Sequence, residues 1–336
     1  MEKKINHGLS ILKVILAFYV VKTHSFKHHS TENKIILYII GRYRNLHVPS
    51  FMIMSFYFNY NGLISKNASR IWKRFERLLI PYIFWPIIIY LIKIIFCKCY
   101  NLEMPFTFKK LIVQFILGNS IINPLWFHFS LMITTLSFLI IIHIITKNYL
   151  FVFHVLMIMS YFLQYSKTNF DSINNIRIHF KISINREIEM IPYAVTGFNF
   201  ASVNIINHLK SYRYKSITFS VIIFLFLDYF SVFIELNAYS GIRRIISSIC
   251  LFLTFSQLPF EKIKNKYINK FIEYLTRYTA GIYYLHTTVK YYLRYYFKYV
   301  RKGTLEGSFI IYIVTYLICN FGIIIFGKTK AKYLFS

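Results

Sequence analysis

Apolar residues run through this chain in blocks of about twenty, separated by shorter polar and mostly basic segments. The blocks lie near 8–25, 46–65, 78–97, 125–146, 149–165, 188–206, 216–235, 242–260, 271–293 and 308–327. Twenty helical residues extend about 30 Å, the thickness of a bilayer's hydrocarbon core, so the pattern predicts about ten transmembrane helices. Helices are favoured over strands because a segment in lipid must close its own backbone hydrogen bonds, and the blocks lack the short alternating runs of an outer-membrane barrel. The stretch FTFKKLIVQFILG (106–118) is too short to span and reads as an interfacial or re-entrant helix. No internal repeat and no Gly/Ser-rich or Pro-rich linker interrupts the pattern. Residues 1–336 therefore read as one all-α integral membrane domain, its helices in a single bundle.

Composition agrees with that class. Apolar residues make up 56% of the chain and aromatics 20%, against only 15% charged residues, a balance far from that of a water-soluble domain. The opening MEKK and the apolar run behind it resemble a signal peptide, but Lys22 within the run and the lack of a small-residue cleavage site favour retention. A formal charge of +28 invites a nucleic-acid reading. The basic residues are instead spread among the loops and form no zinc-finger, helix-turn-helix or RNA-binding motif, so anionic lipid headgroups are the partner they predict.

The tightest basic clusters set the orientation. They are Lys66, Arg70, Lys73, Arg74 and Arg77; Lys210, Arg213 and Lys215; Lys262, Lys264, Lys266 and Lys270; and Lys328, Lys330 and Lys332. All four fall on one side of the predicted topology, the side of the N-terminus, which is therefore expected to be cytoplasmic, in the cell membrane. Cys97, Cys99, Cys250 and Cys319 have no zinc-ligand spacing, and no metal is expected.

Against this background two side chains in the first block, LSILKVILAFYVVKTHS (9–25), need a reason. Lys13 and His24 lie eleven positions apart, about 16 Å along a helix at 1.5 Å per residue, so they occupy opposite halves of one span. Ionisable residues in lipid are costly and usually face a polar interior. The bland reading is a snorkelling lysine and an interfacial histidine.

Further stretches bear on that choice: LHVPSFMIMSFYF (46–58), RFERLLIPYIFW (74–85), PLWFHFSLM (124–132) and GIYYLH (281–286). In this order, and with the first block, they resemble the membrane-bound acyltransferase-3 family, in particular its sugar O-acetyltransferases of the fucose acetylase type. Leu9 to His24 fits that family's first-helix register, Leu-Asp-x-x-Arg followed by a histidine. His47, Pro49, Phe51, Ser55 and Tyr57 match its second block; Arg74, Arg77, Pro81 and Tyr82 its basic block; Leu125, Trp126 and Phe127 its Leu-Trp-Phe block; and Gly281, Ile282, Tyr283 and His286 its C-terminal block. Three positions depart from the pattern: Ser10 replaces an aspartate, Lys13 an arginine and Phe56 a glycine.

The resemblance implies transfer of an acyl group, usually acetyl, from cytoplasmic acyl-CoA to a hydroxyl of a glycan or glycolipid, with His24 essential. An imidazole suits that task, because a sugar hydroxyl is a poor nucleophile until a base takes its proton; an acyl-histidine intermediate is the variant route. Lys13, Arg74, Arg77 and Trp126 are then the expected contacts of acetyl-CoA. Arg74 and Arg77, spaced i and i+3, share a helix face suited to phosphate charges; as plain chemistry the pair reads equally as a positive-inside anchor. His47, Ser55, Tyr57, Tyr283 and His286 are expected to hold substrate or support the base. His143 and His154 also lie in apolar blocks and match no family motif. The competing class is a polytopic glycan transporter, flippase or polymerase, of which transporters commonly show paired repeats.

Overall fold

The computed structural model describes residues 6–26, 46–65, 67–101, 103, 107–117, 125–145, 147–169, 179–230, 237–260 and 265–335. Among them every regular element is helical: α1 (His7–Ser25), α2 (His47–Leu63), α3 (Ala68–Cys99), α4 (Phe108–Leu117), α5 (Leu125–Ile145), α6 (Tyr149–Asn169) and α7 (His179–Ser202). There follow α8 (Ile205–His208), α9 (Arg213–Phe230), α10 (Asn237–Gln257), α11 (Lys266–Arg277), α12 (Thr279–Tyr296), α13 (Lys298–Lys302), α14 (Leu305–Phe326) and a final 3₁₀ turn, Lys330–Leu334. Lys66, Lys262 and Lys264 of the basic clusters lie outside the described residues, as do Phe106 and Gly118 at the ends of the short block whose helix is α4.

The described part of each apolar block is largely helical, yet among the described residues the helices that are by themselves long and apolar enough to cross a membrane number four: α1, α3, α5 and α14. The difference from about ten has visible causes. Helix α2 is only 17 residues long, α10 carries Arg243 and Arg244, and α12 carries Lys290 and Arg294. The ninth block is not one helix. It breaks at Tyr278, whose ring is buried and whose hydroxyl donates to Asn320 Oδ1 at 2.8 Å. Before the break, α11 sets Lys270, Glu273 and Arg277 against exposed Ile268, Phe271 and Tyr274, the pattern of a helix lying along a membrane surface. Pro81 and Pro86 sit inside α3 without ending it, as membrane helices tolerate. Ile83, Ile87, Leu91 and Ile95 on α3, and Phe309, Ile313, Leu317 and Phe321 on α14, form exposed apolar stripes at four-residue spacing, the surface expected against lipid.

The chain sorts into two compact units, neither of them a continuous stretch. One comprises Met1–Leu16, Ile39–Ala68 and Ile133–Thr276. Its centre is the contact of α2 with α7, made close by Gly197, where any added Cβ would collide with the Ile53 carbonyl oxygen. Around it run Phe56–Phe138, 4.7 Å between ring centroids, Phe138–Phe153, stacked at 4.1 Å, and Phe153–Phe198 at 5.3 Å. Phe56, standing where the resembling family has glycine, is fully buried in this cluster. Its bulk is absorbed by core packing.

The other unit comprises Ala17–Tyr38, Ser69–Met132 and Arg277–Ser336. Here α12 packs on α14, and the chain end folds back so that Trp85 Nε1 donates to the Leu334 carbonyl at 3.0 Å while Phe335 meets the Trp85 ring at 5.6 Å. Gly281 is the point of closest approach. A Cβ there would lie 2.5 Å from the Phe335 carbonyl oxygen and 2.7 Å from Cys319 Sγ. Gly281→Ala should therefore destabilise the purified protein by about 1–3 kcal/mol through overpacking. Gly62→Ala, with nothing within 4 Å of the new methyl, should be neutral or mildly stabilising. Thermal unfolding of both variants in detergent checks the contrast.

Candidate functional site

The second unit gathers four of the expected site residues around α12. This helix presents Tyr283, His286 and, one turn further, Lys290. His286 is almost fully buried, 1% exposed, and its Nδ1 lies 3.0 Å from the carbonyls of both Ile282 and Tyr283. A carbonyl only accepts, so Nδ1 carries the hydrogen and Nε2 holds the lone pair in the neutral ring. That alone does not make a catalytic residue: His143 and His154 bond back to the Leu139 and Leu150 carbonyls in the same way, at 2.8 and 2.6 Å. What distinguishes His286 is a second imidazole. His24, from the last turn of α1, places its ring centroid 5.2 Å away.

The end of α1 is pinned at the same place. Lys290 Nζ donates to the His24 main-chain carbonyl, a cation on one of the carbonyls that a helix C-terminus leaves without an intrahelical partner. Ser25 donates to the Val21 carbonyl at 2.6 Å and meets the Ser308 hydroxyl of α14 at 2.8 Å. Tyr283 is buried, 6.4 Å from the His286 ring and 5.5 Å from Phe127, which in turn lies 6.2 Å from half-buried Trp126. An aromatic path of side chains thus leads from α5 to the paired imidazoles.

A basic centre occupies the first turns of α3. Arg74 is half-buried and Arg77 exposed, with the Arg77 guanidinium 5.5 Å from the centre of the Tyr333 ring. Beside α12 sits buried His128, with the Tyr284 hydroxyl 2.8 Å from its Nε2. The chain end closes this region: Lys330 donates to Glu76 at 2.6 Å, and that carboxylate holds the ammonium above the ordinary lysine range.

The remaining expected residues belong to the first unit. Lys13 is half-buried on α1, its ammonium 4.4 Å from the centre of the Phe58 ring. His47 and Pro49 are buried in the first turn of α2, where proline's missing N–H leaves no intrahelical bond unmade. Half-buried Ser55 lies two turns further on, its carbonyl accepting from Asn59 at 2.7 Å. Tyr57 packs on Phe252 at 5.1 Å and, with Phe58 and Tyr60, lines a cavity of about 560 Å³ together with Lys210 and Arg213.

The family model of the acyltransferase domain matches residues 6–327, nearly the whole chain. The chain belongs to the acyltransferase-3 family. No curated protein and no solved structure matches it. Its helices and its family together make it a membrane acyltransferase.

Sequence reasoning about this acyltransferase passed over His128, Tyr284, Lys290 and Ser308. His128 and Tyr284 stood inside the quoted blocks PLWFHFSLM and GIYYLH, and only the fold shows that they meet. For Lys290 the signal was its spacing, four residues after His286 on the same helix face. Removing its charge should cost about 1.5–3 kcal/mol, the range for a hydrogen bond from a charged donor. Lys290→Met is expected to lower the unfolding midpoint of the purified acyltransferase, and Lys290→Arg to retain most of it. Equal midpoints for Lys290→Met and the parent protein would show that the lysine does not secure α1.

Proposed function

We propose that this membrane acyltransferase moves an acetyl group from cytoplasmic acyl-CoA to a hydroxyl of a cell-surface glycan or lipid-linked sugar. Residues 1–336 act as one acyltransferase domain of about ten spans in the cell membrane, with the N-terminus cytoplasmic. The observation that carries the reading is the His24–His286 pair, 5.2 Å between ring centroids, in a chain that belongs to the acyltransferase-3 family. His24 is the general base. It takes the proton of the acceptor hydroxyl as the oxygen attacks the thioester carbonyl; the C–S bond breaks, and the proton passes to the departing CoA sulfur. His286, with its hydrogen committed to backbone carbonyls, supports the neighbouring ring as it becomes cationic.

In this reading Arg74, Arg77 and Lys13 neutralise the donor's phosphates, and Trp126 borders the path of its acyl arm. His47, Ser55, Tyr57 and Tyr283 support the acceptor or the base. Lysine in place of the family's arginine at position 13 keeps the charge and gives up the planar fork. The test compares surface glycans of cells with and without the gene by mass spectrometry. Loss of one acetyl increment from a glycan in the deletion strain, restored by the intact gene, is the expected result; glycans identical in mass under all growth conditions would overturn it.

A further inference from the structure

The cavity in the first unit is built for a ligand other than a plain hydroxyl. Its volume of about 560 Å³ is that of a small-molecule site. Among its described lining residues there is no carboxylate, whereas Lys210 and Arg213 both face it. The N-termini of α1 and α9 also reach it, through His7 and Gly8 and through Arg213, and a helix N-terminus attracts negative charge. The C-terminal ends of α2 and α10 border it too, but one of their carbonyls, that of Ser256, is already occupied by Asn6 Nδ2 at 3.0 Å.

This wall is rigid. Asn6 caps α1 by accepting from the Leu9 N–H at 3.0 Å, Gln257 donates to the Ile206 carbonyl at 3.0 Å, and Gly8 lies against the Phe255 carbonyl so closely that no side chain would fit. In it, Nδ1 of His7 is buried and has no hydrogen-bond partner among the described residues. A buried polar atom is costly without a partner, so it points to a group that the cavity receives. Elsewhere in the lining Tyr57, Phe58 and Tyr60 offer aromatic surface, and the Lys13 ammonium sits over the Phe58 ring at 4.4 Å.

We propose that this cavity binds a phosphate ester joined to a ring, the phosphate at Lys210 and Arg213 and the ring against Tyr57, Phe58 and Tyr60. The proposal rests on the acyl-transfer reading and on its topology, in which the cavity opens to the cytoplasm. Two substrates of that reaction carry the required chemistry: the phosphorylated adenosine of the donor, and the sugar-phosphate head of a lipid-linked acceptor.

Equilibrium binding to the purified full-length protein in detergent micelles tests the proposal, with adenosine 3′,5′-bisphosphate as one probe and decaprenyl-phosphate glucose as the other. Lys210 is exposed, so Lys210→Glu leaves the fold intact; it should weaken one probe by about tenfold or more, the scale of a lost charged hydrogen bond. Lys215→Glu, the same charge change at an exposed residue outside the cavity, should not. Selective weakening of the bisphosphate assigns the cavity to the donor, and selective weakening of the lipid phosphate assigns it to the acceptor. Binding of neither probe, no effect of Lys210→Glu, or equal effects of Lys210→Glu and Lys215→Glu would overturn the proposal. Failure of the function would look different: binding that depends on Lys210 in a protein whose deletion leaves glycan masses unchanged.

Discussion

An imidazole surrounded by apolar helices is tolerated only when its polar atoms are hydrogen-bonded, and the arrangement of the second unit follows from how α12 meets that demand. The Nδ1 of His286 turns back to the carbonyls of its own helix. That satisfies one of the ring's two nitrogens locally, fixes its tautomer and leaves Nε2 with the lone pair. The same helix then has to lie close to its neighbours. Gly281 permits this by bringing α12 against the Phe335 carbonyl and Cys319, and buried Ile282 and Leu285 fill the spaces on either side.

The second consequence concerns α1. A helix ending inside a membrane protein exposes carbonyls that water cannot reach. Lys290 answers this at the His24 carbonyl and the Ser25 hydroxyl, itself met by that of Ser308, at the Val21 carbonyl, and in doing so they hold the His24 ring beside His286. Stability and positioning are thus the same set of contacts. His143 and His154 are the useful comparison: they share the backbone bond of His286, but among the described residues no second imidazole lies beside either, and the other ring nitrogen of His154 meets the Asn199 amide at 3.0 Å.

Much of this was legible in the sequence. Apolar blocks of membrane length located the helices, because hydrophobicity is set residue by residue: α1, α5 and α14 fall almost where the blocks do, while α3 begins well before its block, at Ala68. The break at Tyr278 was not legible: a block that reads as one span conceals a helix end at which the Tyr278 hydroxyl reaches Asn320, 42 positions away. The residue types of the site could be named from ordered motifs. Their partners could not, since the meeting of His128 with Tyr284 or of Ser25 with Ser308 is made by tertiary packing across more than 150 positions. Phe56 shows the converse. In the sequence it stands only as a departure from a family pattern, and in the fold it fills an aromatic core.

The central claim, that His24 is the base of an acyl-transfer reaction, is tested most directly by transfer of labelled acetyl from acetyl-CoA into glycan in membranes that contain the His24→Ala protein at normal abundance. The account predicts a fall of about 10²- to 10⁴-fold, the usual contribution of a general base, with partial recovery on addition of free imidazole. Transfer at nearly the parent rate would contradict it and leave His24 an interfacial histidine on a helix end.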